Sequence, residues 1–267
     1  LNAAQRRLTM KVCRDDGRKL YIGDRDQAIN GFQGADPASM DKIEEEVEPT
    51  CLSLDVTFRC PRSHVRKAQK LTPRIRAEPG AELGEIAYYS KEELPDVVEP
   101  GDMVISRVNR NLVEWCLKTA VYGGTPCCFE SSHFRGDAQS IQERLKVSLD
   151  NALEERNRQE NLLSTLERHK QKVLSTGRET EERCTNALIE MVIENRRIGP
   201  GKLKEKIDRL FSHEGKQNVV TFTTIHSAKG QEAARVAIIE PRISLAGGQD
   251  PKWQKEQERN LRYVANT

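Results

Sequence analysis

Gly23-Asp24-Arg25-Asp26-Gln27-Ala28-Ile29-Asn30-Gly31-Phe32-Gln33-Gly34-Ala35-Asp36 is the stretch on which the reading of this chain turns. The apolar run before it, Lys19-Leu20-Tyr21-Ile22, has the length of a short buried strand and stops at Gly23-Asp24. A glutamine, an aromatic residue and a Gly-Ala pair follow. Asp36-Pro37 then has the form of a helix start, with the cap residue just before proline. In open α/β sheets, ligands bind in the loops beyond the carboxyl ends of strands. Asp24, Gln27 and Gln33 place polar groups beside the aromatic Phe32, which suits a phosphate on one side and a base on the other. Glycines also punctuate ordinary surface loops, and spacing alone does not separate the two readings.

Outward from this loop, strand and helix patterns alternate. Cys51 to Phe58 alternates, with Leu52, Leu54, Val56 and Phe58 on one face, and a helix is predicted from His64 to about Lys70. Pro73 to Gly84 reads as a surface connection, Gly84 to Tyr89 as a strand and Lys91 to Val98 as a short helix. Met103-Val104-Ile105 is a strongly apolar strand. Helix 111–121 follows, with Leu112, Trp115, Cys116 and Ala120 at helical spacing, then a short strand from Pro126 to Phe129. After residue 213 the pattern resumes with strands at Asn218–Ile225 and Val236–Ile239, an open loop at Ser244–Asp250 and a last helix from Trp253. This alternation predicts an α/β fold built on a parallel sheet.

Between Gln139 and Phe211 scarcely any strand pattern occurs. Leu145, Leu149, Ala152, Leu163, Leu166 and Val173 fit a seven-residue apolar stripe, broken at the same phase by Arg156, Gln159 and Lys170. The breaks favour a helix packed along part of its length over a long coiled coil. Further helices are predicted at 179–195 and 202–211, so 139–213 reads as a helical insertion in the α/β domain.

The chain has 267 residues, 31% charged and 5% aromatic, with a net charge of +2. That balance excludes a strongly basic coat, so contact with nucleic acid has to come from local patches and stacking. Seven cysteines, an odd number, never fall in a Cys-x-x-Cys pair, and the histidines are scattered. No zinc site is expected, and the thiols read as reduced ones of a cytoplasmic or nuclear protein that is not secreted. No apolar run has the length of a membrane span. Leu1 opens the chain inside a helical pattern and residues 260–267 stay helical to the end, so the chain reads as part of a longer protein.

Three junctions put polar groups just after a strand: Gln27 after Ile22, Arg59 after Phe58, and His226 to Glu232 after Ile225. In a parallel sheet such junctions converge on one edge. Arginine there holds a phosphate bidentately, glutamine bonds a phosphate oxygen or an attacking water, and glutamate accepts from a ribose hydroxyl. Each also has a plain reading: a surface ion pair for Arg59, a core position for His226, a simple turn for Lys229-Gly230. Gly199-Pro200-Gly201-Lys202 lacks the spacing of a phosphate-binding loop. No Asp-Glu pair ends an apolar strand.

Taken together, the junctions resemble the later motifs of superfamily 1 DNA helicases of the UvrD/Rep/PcrA type. Residues 23–36 resemble the third motif, and Thr57-Phe58-Arg59-Cys60 the fourth. Arg107-Val108-Asn109 resembles the family's Arg-x-Asn element. Thr224-Ile225-His226-Ser227-Ala228-Lys229-Gly230-Gln231-Glu232 resembles the fifth motif, and Glu258 to Thr267 the sixth. All five occur in the family's order. Asn30 stands where the family has tyrosine, Gln33 where it has arginine and Gln231 where it has leucine. The sixth motif continues Thr-Arg in the family, whereas this sequence stops at Thr267.

The resemblance implies a RecA-like parallel sheet flanked by helices, of the P-loop NTPase type. Residues 1–48 would end a first RecA-like domain and 49–138 begin a second. Residues 139–213 would stand where the family places its helical subdomain 2B, and 214–267 would complete the second domain. It further implies an ATP-dependent 3′–5′ helicase that binds ATP, single-stranded and duplex DNA, with Mg²⁺ held mainly by residues outside this chain. Gln27 and Arg59 would meet the γ-phosphate, Phe58 would stack on adenine, and Glu232 beside Gly230 would bind the ribose. Phe32 would stack on bases between Asn30 and Gln33, while Arg107, Asn109, Thr224 and His226 would contact the strand. The helicase half of a helicase–nuclease shares these motifs. A non-catalytic DNA-binding module that kept the fold is the reading of another class.

Overall fold

The computed structural model describes residues 1–12, 14, 17–130, 140–157, 159–211, 216–239 and 251–267. The chain divides into two compact units, one formed by Leu1–Tyr88 with Pro241–Thr267 and the other by Tyr89–Glu240. The architecture is α/β, with parallel sheets flanked by helices.

In the first unit, helices Ala3–Val12 (α1) and Ser39–Val47 (α2) bracket the loop at 23–36. Asp36 Oδ1 accepts from the Ala38 N–H at 3.0 Å, so the turn at Asp36-Pro37 delivers the chain into α2. Val56–Thr57 (β1) pairs in parallel with Arg76–Ala77 (β2), and Arg62–Ala68 (α3) connects them. Cys60, Val65, Ala68 and Ile75 pack with Tyr263 of the last helix, Lys252–Asn266, in a small core.

Three sequence expectations change here. Residues 19–22 and 84–89 form no strand, and the predicted strand at 51–58 is reduced to β1. The alternation at Leu52, Leu54 and Phe58 is real, yet those side chains are 87, 90 and 84% exposed. A strand needs a neighbour for its ladder of hydrogen bonds as well as an apolar pattern. The Asp55 carbonyl accepts from the Arg76 N–H of β2, but 51–54 and 19–22 have no described strand beside them and form no regular structure.

The second unit obeys its pattern closely. Met103–Ser106, the third strand (β3), is buried at every position, as an interior parallel strand must be. The short helix Leu94–Val97 (α4) precedes it, and Asn109–Val121 (α5) leads on to Cys127–Glu130 (β4). Four helices follow: Ile141–Glu154 (α6), Leu162–Thr176 (α7), Glu179–Glu194 (α8) and Pro200–Leu210 (α9). Val220–Thr224 (β5), the one-turn helix Ile225–Ala228 (α10) and Val236–Ile239 (β6) complete the unit. The strand order is β4-β5-β3-β6, all parallel. The last helix, Lys252–Asn266, is α11.

The expected single helix through Leu145–Val173 is two helices. Arg156 and Gln159, which interrupt the apolar stripe, lie in the connection between α6 and α7. The ends are set locally. Ser140 and Glu143 form a capping box on α6, Asn161 Oδ1 accepts from the Ser164 N–H at 2.9 Å to start α7, and Gly177 ends α7 at φ +68°. Gly199-Pro200, which imitates a phosphate loop in sequence, is the start of α9 with proline in its first turn. Leu145, Leu149, Leu166, Leu188, Leu203 and Ile207 of these helices share one core with Val104 and Phe222 of the sheet. The predicted loop at Ser244–Asp250 lies outside the described residues.

His169 of α7 is buried, and neither ring nitrogen has a hydrogen-bond partner among the described residues. Burial lowers its pKa below the ordinary histidine value, Glu155 and Glu181 pulling the other way and Lys172 and Arg168 adding to the depression. The folded state therefore binds fewer protons here than the unfolded chain. Stability is full above the unfolded value of about 6.5 and is lost as pH falls toward the depressed folded value. Urea midpoints are expected to fall as the pH is lowered below that value, and His169→Leu to flatten that part of the profile. An unchanged profile in the variant would mean that another group sets it.

Candidate nucleotide and nucleic-acid site

The loop at 23–36 is held by charges within it and by α11. Arg25–Gln27 forms a single 3₁₀ turn started by Asp24, whose Oδ1 accepts from the Asp26 N–H at 3.0 Å. Gln27 Nε2 donates to Asp24 Oδ2 at 3.0 Å, which fixes the amide expected to meet a phosphate. Arg74 bridges Asp24 and Asp26, each at 3.1 Å, and Arg259 of α11 donates to Asp26 Oδ1 at 2.5 Å. Fully buried Asn260 donates from Nδ2 to the carbonyls of Arg25 at 3.1 Å and Ala28 at 3.2 Å. Beneath the loop, burial together with Asp24 and Asp26 pushes the Tyr263 phenol up to about 12.

Asn260→Ala removes the donor from both carbonyls of a buried turn. A loss of ~1–3 kcal/mol is expected, the usual consequence of stripping partners from buried polar groups. Urea unfolding measures it; a loss under a few tenths would mean that water replaces the amide without cost.

Gly31–Gln33 forms a second 3₁₀ turn, closed by Gly34 at φ +80°, a left-handed position that glycine takes without strain. Asn30 and Gln33 are exposed on it, and the Asn30 carbonyl accepts from the Gln33 N–H at 2.9 Å and the Ala35 N–H at 3.3 Å. Phe32 lies in this turn, with its side chain outside the described part. Phe58 and Arg59 leave the end of β1; both are exposed, and the Arg59 N–H donates to Thr57 Oγ1 at 3.3 Å.

In the second unit β3 and β5 lie side by side with Ser106 in register with Thr224, so the segments after them leave from the same edge. Arg107 and Asn109 follow β3, and Asn109, the first residue of α5, keeps Oδ1 buried without a hydrogen-bond partner among the described residues. Thr224 Oγ1 accepts from the Ser227 N–H at 3.2 Å and donates to Ser227 Oγ at 3.0 Å, capping α10, which carries half-buried His226. Gly230 sits at φ +84° and Glu232 is exposed on the way to β6.

The twelve sequence candidates thus fall into two groups. Gln27, Asn30, Phe32, Gln33, Phe58 and Arg59 belong to the first unit, and Arg107, Asn109, Thr224, His226, Gly230 and Glu232 to the second. Convergence on one sheet edge holds for the segments after β3 and β5; Arg59 leaves the separate two-stranded sheet. Of the residues that hold the loop, Arg74 lies outside every motif-like segment, while Asp26 falls in the one at 23–36 and Arg259 and Asn260 in the one at 258–267, where none of them is marked as a site residue. Their signal is complementary charge, but only the fold names the partners. Among the described residues no group of three or more His, Cys, Asp or Glu side chains is placed to hold a metal ion. No helix among them is long and apolar enough to cross a membrane. Comparison with protein families and with curated proteins finds no match to the chain.

Proposed function

We propose that this chain is the C-terminal motor portion of an ATP-dependent 3′–5′ DNA helicase of superfamily 1, with RecA-like sheets. One observation carries the reading. The loop that resembles the third helicase motif is held through Asp26, Arg25 and Ala28 by Arg259 and Asn260, which lie in the helix that resembles the sixth. Two segments more than 200 residues apart, matched independently by sequence, form one hydrogen-bonded assembly.

The side chains suit the roles. Arg59 offers a guanidinium fork for the γ-phosphate, and Gln27, held by Asp24, presents an amide to the same group. In the first unit exposed Phe58 offers a face that suits adenine; in the second, taken by itself, exposed Glu232 near Gly230 offers an acceptor that suits ribose hydroxyls. On the nucleic-acid side, Asn109, Thr224 and His226 share one sheet edge. Lys252, Lys255 and Arg262 are exposed along the face of α11 that also carries Arg259, whose charge is paired with Asp26, and they supply the local cationic patch that a chain of net charge +2 needs.

The test is strand displacement by the full-length protein on duplexes carrying a 3′ or a 5′ single-stranded tail. Unwinding that needs ATP and the 3′ tail is expected. Unwinding from the 5′ tail alone, or none with either tail, would sink the proposal.

A further inference from the structure

Where α11 begins, Trp253 and Gln257 lie one turn apart and line a small hollow with Ala28, Gly31, Ala35 and Pro37. Its free volume of about 10 Å³ is close to that of one water or one amino group. Gln257 is only 6% exposed, and its Oε1 has no hydrogen-bond partner among the described residues. A buried acceptor left unpaired costs roughly as much as a lost hydrogen bond, so its place at the wall of a hollow calls for a donor. Trp253 beside it is 43% exposed, high for the largest apolar side chain in the protein.

The backbone opposite is shaped to match. A β-carbon added at Gly31 would lie 2.4 Å from Gln257 Oε1 and 3.1 Å from Trp253 Cε3. Gly31 therefore packs directly against the acceptor and the indole, and any side chain there would collide with both. A partly exposed indole next to a recessed lone acceptor suits a planar heteroaromatic ring carrying an amino group on its edge. Nucleobases combine these features: the ring stacks on an aromatic residue, and the exocyclic amine of adenine or cytosine donates to a side-chain amide oxygen.

We propose that Trp253 and Gln257 form a base subsite, in which one base of a single strand stacks on Trp253 and its exocyclic amine donates to Gln257 Oε1. The subsite rests on the single-strand-binding reading above and adds a preference to it. Adenine and cytosine satisfy the acceptor. Thymine offers no exocyclic amine, and its one N–H lies between two carbonyl oxygens that repel Oε1. The hollow then acts as a weak base-reading position on an otherwise sequence-tolerant contact.

The test uses the purified chain, labelled oligo-dA, oligo-dC and oligo-dT, and fluorescence anisotropy, with tryptophan emission read in parallel. Trp253 emission is expected to be quenched on binding, while buried Trp115 stays silent. Affinity for oligo-dA and oligo-dC should exceed that for oligo-dT. Trp253→Ala should weaken all three by ~5- to 150-fold, the range for loss of one stacked base. Gln257→Leu should bring oligo-dA and oligo-dC to the oligo-dT level and leave oligo-dT unchanged, with urea unfolding confirming that the variant folds. Gly31→Ala, a smaller change at the opposite wall, should reproduce that loss of preference. Binding with unquenched emission, or with equal affinities that Gln257→Leu does not alter, overturns the subsite and leaves the DNA reading standing. No binding of any oligonucleotide overturns both.

Discussion

Arg59→Ala in the full-length protein should lower ATP turnover by at least ~10²-fold, the effect of removing one pre-placed donor from developing charge. Single-strand affinity should stay within about twofold, because under the proposed function stacking and phosphate contacts elsewhere would supply it. Geometry and charge together set this expectation. Arg59 leaves the end of β1, exposed, where its guanidinium can bind two oxygens of one phosphate. Arg59→Lys should recover little, since an ammonium keeps the charge but not the fork. Steady-state turnover beside anisotropy with a labelled oligonucleotide separates the two effects. Normal turnover with lost DNA binding would put Arg59 on the nucleic-acid side and break the assignment of the fourth motif.

The second large effect is on folding. Phe222 is fully buried in β5, the strand between β4 and β3, in a row that runs Phe129, Phe222, Val104, Ala237 across the sheet. Helices on the sheet cover the same core, so Phe222→Ala leaves a cavity that the surroundings can only partly close. A loss of about 3–5 kcal/mol is expected, a large part of the ~5–15 kcal/mol that a domain usually has. Urea unfolding followed by Trp115 emission reports it directly, since Trp115 belongs to the same core. A loss below ~1 kcal/mol would mean that this row does not hold the unit together.

Features of this chain are legible in its sequence to the extent that their causes lie close together along it. The strands β3, β4, β5 and β6 are legible because each is a short apolar or β-branched run bounded by turn residues. The helical stretch is legible as well, apart from its break. Arg156 and Gln159 interrupt the stripe, and a polar residue on a helix's apolar face looks the same whether the helix continues or stops. The loop at 23–36 is marked out by its glycines and its mixed polar and aromatic content, which also bring Gln27 forward, and Arg59 stands out at the end of its own alternating run. Asn260 falls in the segment that resembles the sixth motif, but nothing local names its partners, which lie 235 and 232 positions away in sequence. Gln257 is hidden for the same reason: a glutamine in an amphipathic helix declares nothing until a glycine comes to rest against it.

By itself the sequence determined the α/β class, the positions of the buried strands and helices, and the order of the motif-like segments, because periodicity and capping act over a few residues. Only the tertiary structure decided which apolar runs became strands. Leu20, Ile22, Leu52 and Leu54 carry strand patterns as good as that of β4, yet they stay exposed, since a ladder forms only where a second strand supplies the other half of each hydrogen bond. It also decided what holds the loop at Gly23–Asp36. Ion pairs and buried amides form between groups that the fold brings together, and their partners here lie at the far end of the chain.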